Sequence, residues 1–262
     1  MSGGSARILR ALVLLIAGAW AGMAGQDLRA DAPDRLPNIV IILADDAGYA
    51  DFGFMGSREF DTPNLDRLAA QGTVFRSAYA TTPFCSPSRA GLLTGRYTQR
   101  FGYEFNLTHE PPPGVDPKTM GLAVEEKTIA ALLKPHGYAT IAIGKWHVGD
   151  QLQFHPNARG FDHFYGFLGG GSSYFPGRLR AGVIERNGVP ATAGEYLTDD
   201  FAREAVEQIK VNAARLSLFL SRLQRSAHAD GRNAAMRYRW QHPRSNTGAF
   251  CSQEDMLRYS GE

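Results

Sequence analysis

The chain has 262 residues, of which 44% are hydrophobic and 21% charged. This length allows one or two hydrophobic cores, and the composition is that of a soluble globular protein, so intrinsic disorder is not expected. The formal net charge of +2 comes from the C-terminal segment, where eight arginines, no lysine and four acidic residues follow from Val211 onward. Such arginine enrichment is also typical of nucleic-acid-binding tails, but we do not expect nucleic acid as a partner.

Residues 1–24 are predicted to be a secretory signal peptide. Arg7 and Arg10 precede an apolar run from Ala11 to Ala21, and small residues suit cleavage near Ala21 or Ala24. A membrane anchor is the alternative, but the run is shorter than the roughly 20 residues that span a bilayer, so no stable anchor is expected. Residues 25–36 would be a polar lead-in, and the mature protein would be exported to the periplasm or the extracellular space.

The stretch PNIVIILADD predicts a parallel strand from Ile39 to Ala44, buried on both faces, whose carboxyl end is Asp45-Asp46. A glycine-rich loop and a helix follow. In that helix Thr62 is the predicted N-cap, Pro63 takes the first position and Gly72 ends it.

The alternation of strands and helices continues along the chain. Residues 73–80 (TVFRSAYA) suit a short strand and residues 139–147 (ATIAIGKWH) a buried one. Three more helices are predicted. The first runs from Pro87 to Leu93 and is closed by Gly95, and the second starts at Thr128 and is stopped by Pro135 and Gly137. The third is LTDDFAREAVEQIK, with Thr198 as cap and Asp199 and Asp200 in the first turn. The order predicts an α/β fold over residues 37–211, with a mostly parallel sheet flanked by helices on both faces.

Candidate site residues lie at strand ends, where such sheets bind ligands. Asp45 and Asp46 offer oxygen ligands suited to Ca²⁺ or Mg²⁺, although such a pair also caps turns. Lys145 and His147 have the i, i+2 spacing that puts both side chains on one face of a strand, although a solvated lysine beside a packed histidine would look the same.

Cys85 lies just ahead of a predicted helix N-terminus, a place that favours an anion, and Arg89 follows one turn later. Exported cysteines usually pair, so a disulfide to Cys251 is the alternative to a chemical role. A cation site, two fixed cations and a helix N-terminus together suit a tetrahedral anionic ester.

The segment CSPSRAGLLTGR, from Cys85 to Arg96, resembles the first sulfatase signature, and GYATIAIGKWH, from Gly137 to His147, resembles the second. PNIVIILADDAGYADFG and PNLDRLAAQGTVFRSAYA are similar to the segments that open the same family. The resemblance runs from about Pro37 to Lys210. It implies the alkaline-phosphatase-like fold and hydrolysis of sulfate esters.

The resemblance also implies what each candidate does. A separate maturation enzyme would oxidise Cys85 to formylglycine, whose hydrate attacks sulfur with one hydroxyl and expels sulfate through the other. Asp45 and Asp46 would bind Ca²⁺ together with the residue derived from Cys85. The remaining roles are to hold the hydrate (Arg89), to bridge hydrate and sulfate (Lys145), and to take the proton that triggers sulfate release (His147).

The substrate is less evident. Residues 154–176 are rich in aromatic residues and glycine, as expected of loops that line a pocket, and favour a sulfated carbohydrate over another sulfated small molecule. Substrate contacts or packing roles are both open for four of their side chains: His155, Asp162, His163 and Tyr174.

Residues 212–262 are predicted to be an atypical tail beyond the segment that carries the resemblance. Sulfatases take further Ca²⁺ ligands, a sulfate-binding lysine and a leaving-group histidine from a later segment. None of these is recognisable here, so the chain as given is expected to be inactive.

One permitted set of codons for Leu216 to Gly231, read one base later, encodes FLFFYRAFNAPHTPM, which resembles the sulfatase strand with the leaving-group histidine. We therefore hypothesise a frameshift near Arg215, in the gene or in its sequencing. A phosphoester hydrolase and a non-catalytic remnant remain the alternatives.

Overall fold

The computed structural model describes residues 36–58, 61–108, 111, 113–175, 183–194, 196–215 and 217–223, the last as backbone only. The elements below all lie within Asn38–Glu262. The predicted signal peptide, Cys251 and most of the segment 212–262 lie outside the described residues. Within the described ranges, no helix is long and apolar enough to cross a bilayer.

A six-stranded sheet forms the centre of the fold. Its strands are β1 (Ile39–Ala44), β2 (Ala139–Lys145), β3 (His163–Phe167), β4 (Glu185–Arg186), β5 (Val189–Pro190) and β6 (Ser217–Leu223). The spatial order is β1-β6-β2-β3-β4-β5. The pairs β1–β6, β6–β2 and β2–β3 are parallel, whereas β4 and β5 add a short antiparallel hairpin.

The α-helices of the described ranges are α1 (Pro63–Gln71), α2 (Cys85–Thr94), α3 (Ile129–Leu133) and α4 (Leu197–Val211). Residues of β2 alternate between two cores. Ala142 packs with Ala90 of α2 and Ala130 of α3, whereas Ile141 and Ile143 pack with Phe201 of α4 on the other face. The mostly parallel sheet with helices on both faces is confirmed.

The ends of α1 and α3 are largely as predicted, with one exception among the N-cap side chains. Pro63 begins α1 and Gly72 is its C-cap. The Thr62 hydroxyl, however, does not cap that helix, because it accepts from Gly53 N and donates to Asp66 Oδ1. Thr128 does cap α3 by accepting from Ala131 N.

Two predicted boundaries were wrong by a few residues. Helix α2 begins at Cys85 and not at Pro87. Helix α4 begins at Leu197, with Tyr196 and not Thr198 at the N-cap position. Leu197 is buried and its N–H donates to the Tyr174 carbonyl, so tertiary packing sets this helix start.

Two predictions about strands were wrong. Residues 73–80 form turns and coil, with Phe75 and Tyr79 74% and 89% exposed, so this apolar pattern is not used for sheet packing. Strand β1 is not buried on both faces: Val40 and Ile42 are half exposed, while Ile39 and Ile41 pack against the core of α2 and α3. Helix α4 packs against β2, β3 and β6 and does not cover the face of β1 that carries Val40 and Ile42.

Candidate active site

The carboxyl ends of the central strands bring the candidate residues together. Asp45 directly follows β1, and Lys145 is the last residue of β2. Because both strands run parallel to the intervening β6, their ends lie at one edge of the sheet.

Asp45 is the centre of a buried ion cluster. Its Oδ1 pairs with the guanidinium of Arg89, and its Oδ2 accepts from Lys145 Nζ at 2.9 Å. Arg89 Nη1 also donates to the Lys145 carbonyl at 3.0 Å. Burial alone would raise the pKa of Asp45, but the two cations outweigh it and the pKa is lowered from its usual value. Asp45 is therefore a carboxylate flanked by two fixed positive charges.

Cys85, a free thiol, is the first residue of α2 and faces the two carboxylates. Its Sγ lies 4.0 Å from Asp46 Oδ1, and ligand atoms of Asp45, Asp46 and Cys85 all lie within 4.8 Å of one another. The carboxylates are hard donors that suit Ca²⁺, whereas a thiol is a soft one. The group fits Ca²⁺ if an oxygen replaces this sulfur, and the 6 to 8 oxygens that Ca²⁺ takes require further ligands.

Helix α2 fixes Cys85 and Arg89 one turn apart. Arg89 is 1% exposed, and its Nε has no hydrogen-bond partner among the described residues. Next to Cys85, Ser86 N donates to Asn106 Oδ1 at 2.9 Å and the Ser86 hydroxyl bonds the Tyr103 hydroxyl at 2.7 Å. The start of α2 is thus held in place from the segment after the helix.

His147 lies just beyond β2, since that strand ends at Lys145 and His147 adopts a left-handed backbone with φ of 59°. Its Nε2 is 3.1 Å from the Leu107 carbonyl oxygen. Desolvation, followed by the nearby charge of Lys145, lowers the pKa of His147 to about 4. The imidazole is therefore neutral at physiological pH.

A cleft of about 250 Å³ opens beside His147. Its lining combines apolar side chains with polar ones and with backbone of a glycine run, and includes Leu107, Asp150, Gln151, Leu168 and Gly170. A cleft of mixed polarity next to fixed charges is suited to a small polar organic group.

A family model described as Sulfatase matches residues 37–256. The chain belongs to the sulfatase family. The resemblance carried by the two signature segments is thereby confirmed, and so is the α/β fold of the sulfatases.

Curated relatives match this chain over about half of its length. An N-acetylgalactosamine-6-sulfatase of Rattus norvegicus is 45% identical over 140 residues, which are 53% of this chain and 26% of the relative. Arylsulfatase G of Mus musculus is 46% identical over 130 residues, which are 50% of this chain and 23% of the relative. The chain therefore spans about a quarter of the length of these relatives.

Solved structures match a larger part of this chain. The crystal structure of Ps i-CgsB is 41% identical with a TM-score of 0.67, covering 74% of this chain and 46% of that one. A second structure of Ps i-CgsB, in complex with k-i-k-neocarrahexaose, is 40% identical with the same TM-score of 0.67 and covers 75% and 46%. BT4656 in complex with its substrate D-glucosamine-2-N,6-O-disulfate is 26% identical with a TM-score of 0.57, covering 72% and 34%.

The four side chains left open between substrate and packing roles all make structural contacts and do not line the cleft. His155 Nδ1 accepts from Asn157 N, and its Nε2 lies 2.6 Å from Glu185 Oε1. His163 Nε2 lies 2.8 Å from Glu204 Oε1. Asp162 pairs with Lys134 at 2.6 Å, and the Tyr174 ring stacks on Tyr196.

Sequence reasoning missed four groups that support the candidate residues, two of them through Ser86 and two at the His147 ring. Asn106 and Tyr103 hold the start of α2, and the Leu107 carbonyl bonds His147. The segment that carries them has no periodic pattern, and a carbonyl has no residue-type signal. Gly170 belongs to a visible glycine run, but only the fold shows which side chain it faces.

Proposed function

We propose that this chain carries the nucleophile-bearing part of the active site of a sulfate ester hydrolase that acts on a sulfated carbohydrate. In this reaction a sulfate ester and water give an alcohol and sulfate. Membership of the sulfatase family supports the reaction class. The named substrate of BT4656 and the carbohydrate bound to Ps i-CgsB support the substrate class.

The observation that carries the proposal is the cluster at the ends of β1 and β2. Asp45 lies between Arg89 and Lys145, and the same carboxylate approaches Asp46 and Cys85. A sulfate group needs several cations around its oxygens while charge moves from sulfur to the leaving alcohol. Two buried cations beside a group able to hold a divalent metal meet that need.

In the proposed site, Asp45 and Asp46 would hold Ca²⁺ together with the oxidised side chain of Cys85. Formylglycine, the group that a maturation enzyme would make from Cys85, supplies a hydrated aldehyde whose two hydroxyls allow attack on sulfur and release of sulfate. Bound Ca²⁺ would add a Lewis acid next to the sulfate oxygens.

The chain's own cations are proposed to fix the reacting groups. Arg89, held by Asp45 and by the Lys145 carbonyl, keeps a positive charge at the base of the nucleophile. Lys145 Nζ lies on the same carboxylate and would bind a sulfate oxygen. Their contacts with Asp45 limit the motion of both groups, so little reorganisation would be required when substrate binds.

His147 is proposed to accept the proton whose loss drives sulfate release. A neutral imidazole can accept a proton at physiological pH, and the lowered pKa of His147 keeps its ring neutral. The cleft beside it, with Asp150 and Gln151 in its lining, would hold the sugar that bears the sulfate.

The test uses the full-length product of the locus, produced beside a formylglycine-generating enzyme. Its rates on an aryl sulfate and on the matching aryl phosphate are compared, with Cys85→Ala as the inactive reference. We expect sulfate to be the faster substrate and the variant to lose that activity. A faster phosphate rate would assign the site to phosphoester hydrolysis instead, and no turnover of either ester would favour a non-catalytic remnant.

A further inference from the structure

We propose that the Leu107 carbonyl and Gly170 are positioning elements that hold the His147 ring in one tautomer, with Nε2 protonated and Nδ1 as its only proton acceptor. This inference rests on the proposed function, since it names the nitrogen of His147 that would take the proton. It also makes a statement about the ring that is measurable without any activity.

The first observation is the bond from His147 to the Leu107 carbonyl oxygen, at 3.1 Å from Nε2. A carbonyl oxygen can only accept, so Nε2 must carry the hydrogen. In a neutral imidazole the other nitrogen is then the acceptor. The backbone of residue 107 thereby selects the tautomer, whatever side chain that residue carries.

The second observation concerns Nδ1 of His147. This atom is buried and has no hydrogen-bond partner among the residues that the structure describes. A buried acceptor without a donor costs free energy, so such atoms are seldom left unpaired. The His147 side chain is only 7% exposed but borders the cleft, so a hydroxyl delivered to the site would supply the donor that Nδ1 lacks.

The third observation is the close approach of Gly170 to the ring. A Cβ at this position would lie 2.7 Å from Nε2 and 2.8 Å from Cε1 of His147. The neighbouring Gly171 is different, because a Cβ there would meet nothing within 4 Å. Any side chain at position 170 would therefore force the ring or the loop to shift and disturb the bond from Nε2 to the Leu107 carbonyl, whereas a Cβ at position 171 would meet nothing.

The backbone on the same loop holds His147 from the other side. His147 N donates to the Leu168 carbonyl at 2.9 Å, and this residue directly precedes the glycine run. Leu168 thus holds the main chain of His147, and Gly170, which has no side chain, leaves space for the His147 ring. Ring and main chain are positioned by one continuous element.

The decisive test is ¹⁵N NMR of this 262-residue chain labelled at histidine, with His147→Gln identifying the His147 signals. We expect the wild-type ring to show a protonated Nε2 and an unprotonated Nδ1 at neutral pH. Gly170→Ala should remove this single-tautomer pattern, and the matched variant Gly171→Ala should keep it. A protonated Nδ1 in the wild type, or the same spectrum in Gly170→Ala as in the wild type, would overturn the proposal.

A double-mutant cycle in the full-length product adds a kinetic readout. Gly170→Ala should lower kcat by about 10²-fold, the loss that a misplacement of roughly 1 Å can cause. In the His147→Gln background the same substitution should add little further loss, because it would act through that ring. Losses that multiply would show that Gly170 acts independently of His147. If the tautomer is as expected but sulfate is not hydrolysed, the proposed function fails and the positioning stands.

Discussion

Asp45 and Lys145 are 100 positions apart in the sequence, yet their side chains form a buried contact of 2.9 Å. Arg89 of helix α2 pairs with the same Asp45 carboxylate. Three segments are thereby tied together by one negative charge. Removal of that charge would leave two buried cations facing each other.

Asp45→Asn is therefore expected to destabilise the fold. Loss of one partner of a buried ion pair typically costs about 3–5 kcal/mol, because the remaining charge is left uncompensated. The free energy of unfolding, measured by urea denaturation in the presence of a chelator, would show the loss.

The matched control is Lys134→Met, which breaks the pair of Lys134 with Asp162. Both side chains of that pair are substantially exposed, at 51% and 38%. Water screens such a pair, so the loss should stay below about 1 kcal/mol. Equal losses in the two variants would contradict the role assigned to burial.

The stability of the fold should depend on pH through His147. Its pKa is about 4 in the folded chain against the ordinary 6.5 of a histidine, so the unfolded state binds the proton first as pH falls. Relative to His147→Gln, the wild type should lose stability from about pH 6.5 down to about pH 4, by on the order of 3 kcal/mol in total. Denaturation curves at several pH values give this difference, and a difference independent of pH would show that His147 titrates normally.

The sequence predicted two of the four parallel strands, β1 and β2, because each is a continuous apolar run, but it did not predict β3 or the central strand β6. It could not predict that β1 exposes Val40 and Ile42, since the covering of a strand depends on where distant helices pack. For the same reason it misplaced the start of α4, which the burial of Leu197 determines.

At the site, residue types were easier to predict than their partners. The signature segments indicated Cys85, Arg89 and Lys145, but not that Arg89 and Lys145 would share Asp45. The contacts of His147 with a backbone carbonyl and with a glycine carry no side-chain pattern at all. Such contacts can be identified only from the three-dimensional structure of the loops.

Maturation of Cys85 should be detectable by mass spectrometry. Formylglycine-generating enzymes are expected to read the linear C-x-P-x-R segment before folding, so a tryptic peptide with Cys85 should be lighter by the difference between –CH₂SH and –CHO. Pro87→Ala, which changes the segment but leaves the cysteine, should reduce the conversion. Unmodified thiol in cells that convert a known substrate would remove Cys85 from its proposed role.

The reading frame near Arg215 is open to a direct check on the DNA. If the frameshift hypothesis is right, a shifted frame continues into further sulfatase-like sequence. Restoring it should produce aryl sulfate hydrolysis that we expect the 262-residue chain to lack, and Cys85→Ala or Asp45→Ala should abolish that turnover. The hypothesis fails if no shifted frame continues, or if the present chain turns over substrate as fast as the restored one.

Strands β1 and β2 do not pair with each other, because β6 lies between them and bonds to both. During synthesis the ribosome releases β1 and β2 before Ser217–Leu223, so neither has its shared neighbour until that segment has emerged. Asp45 and Lys145 can meet only after that strand has emerged. Until then the segment around Cys85 stays outside a finished fold. The position of β6 in the sheet thus sets the time that an enzyme acting on unfolded chain has to reach this cysteine.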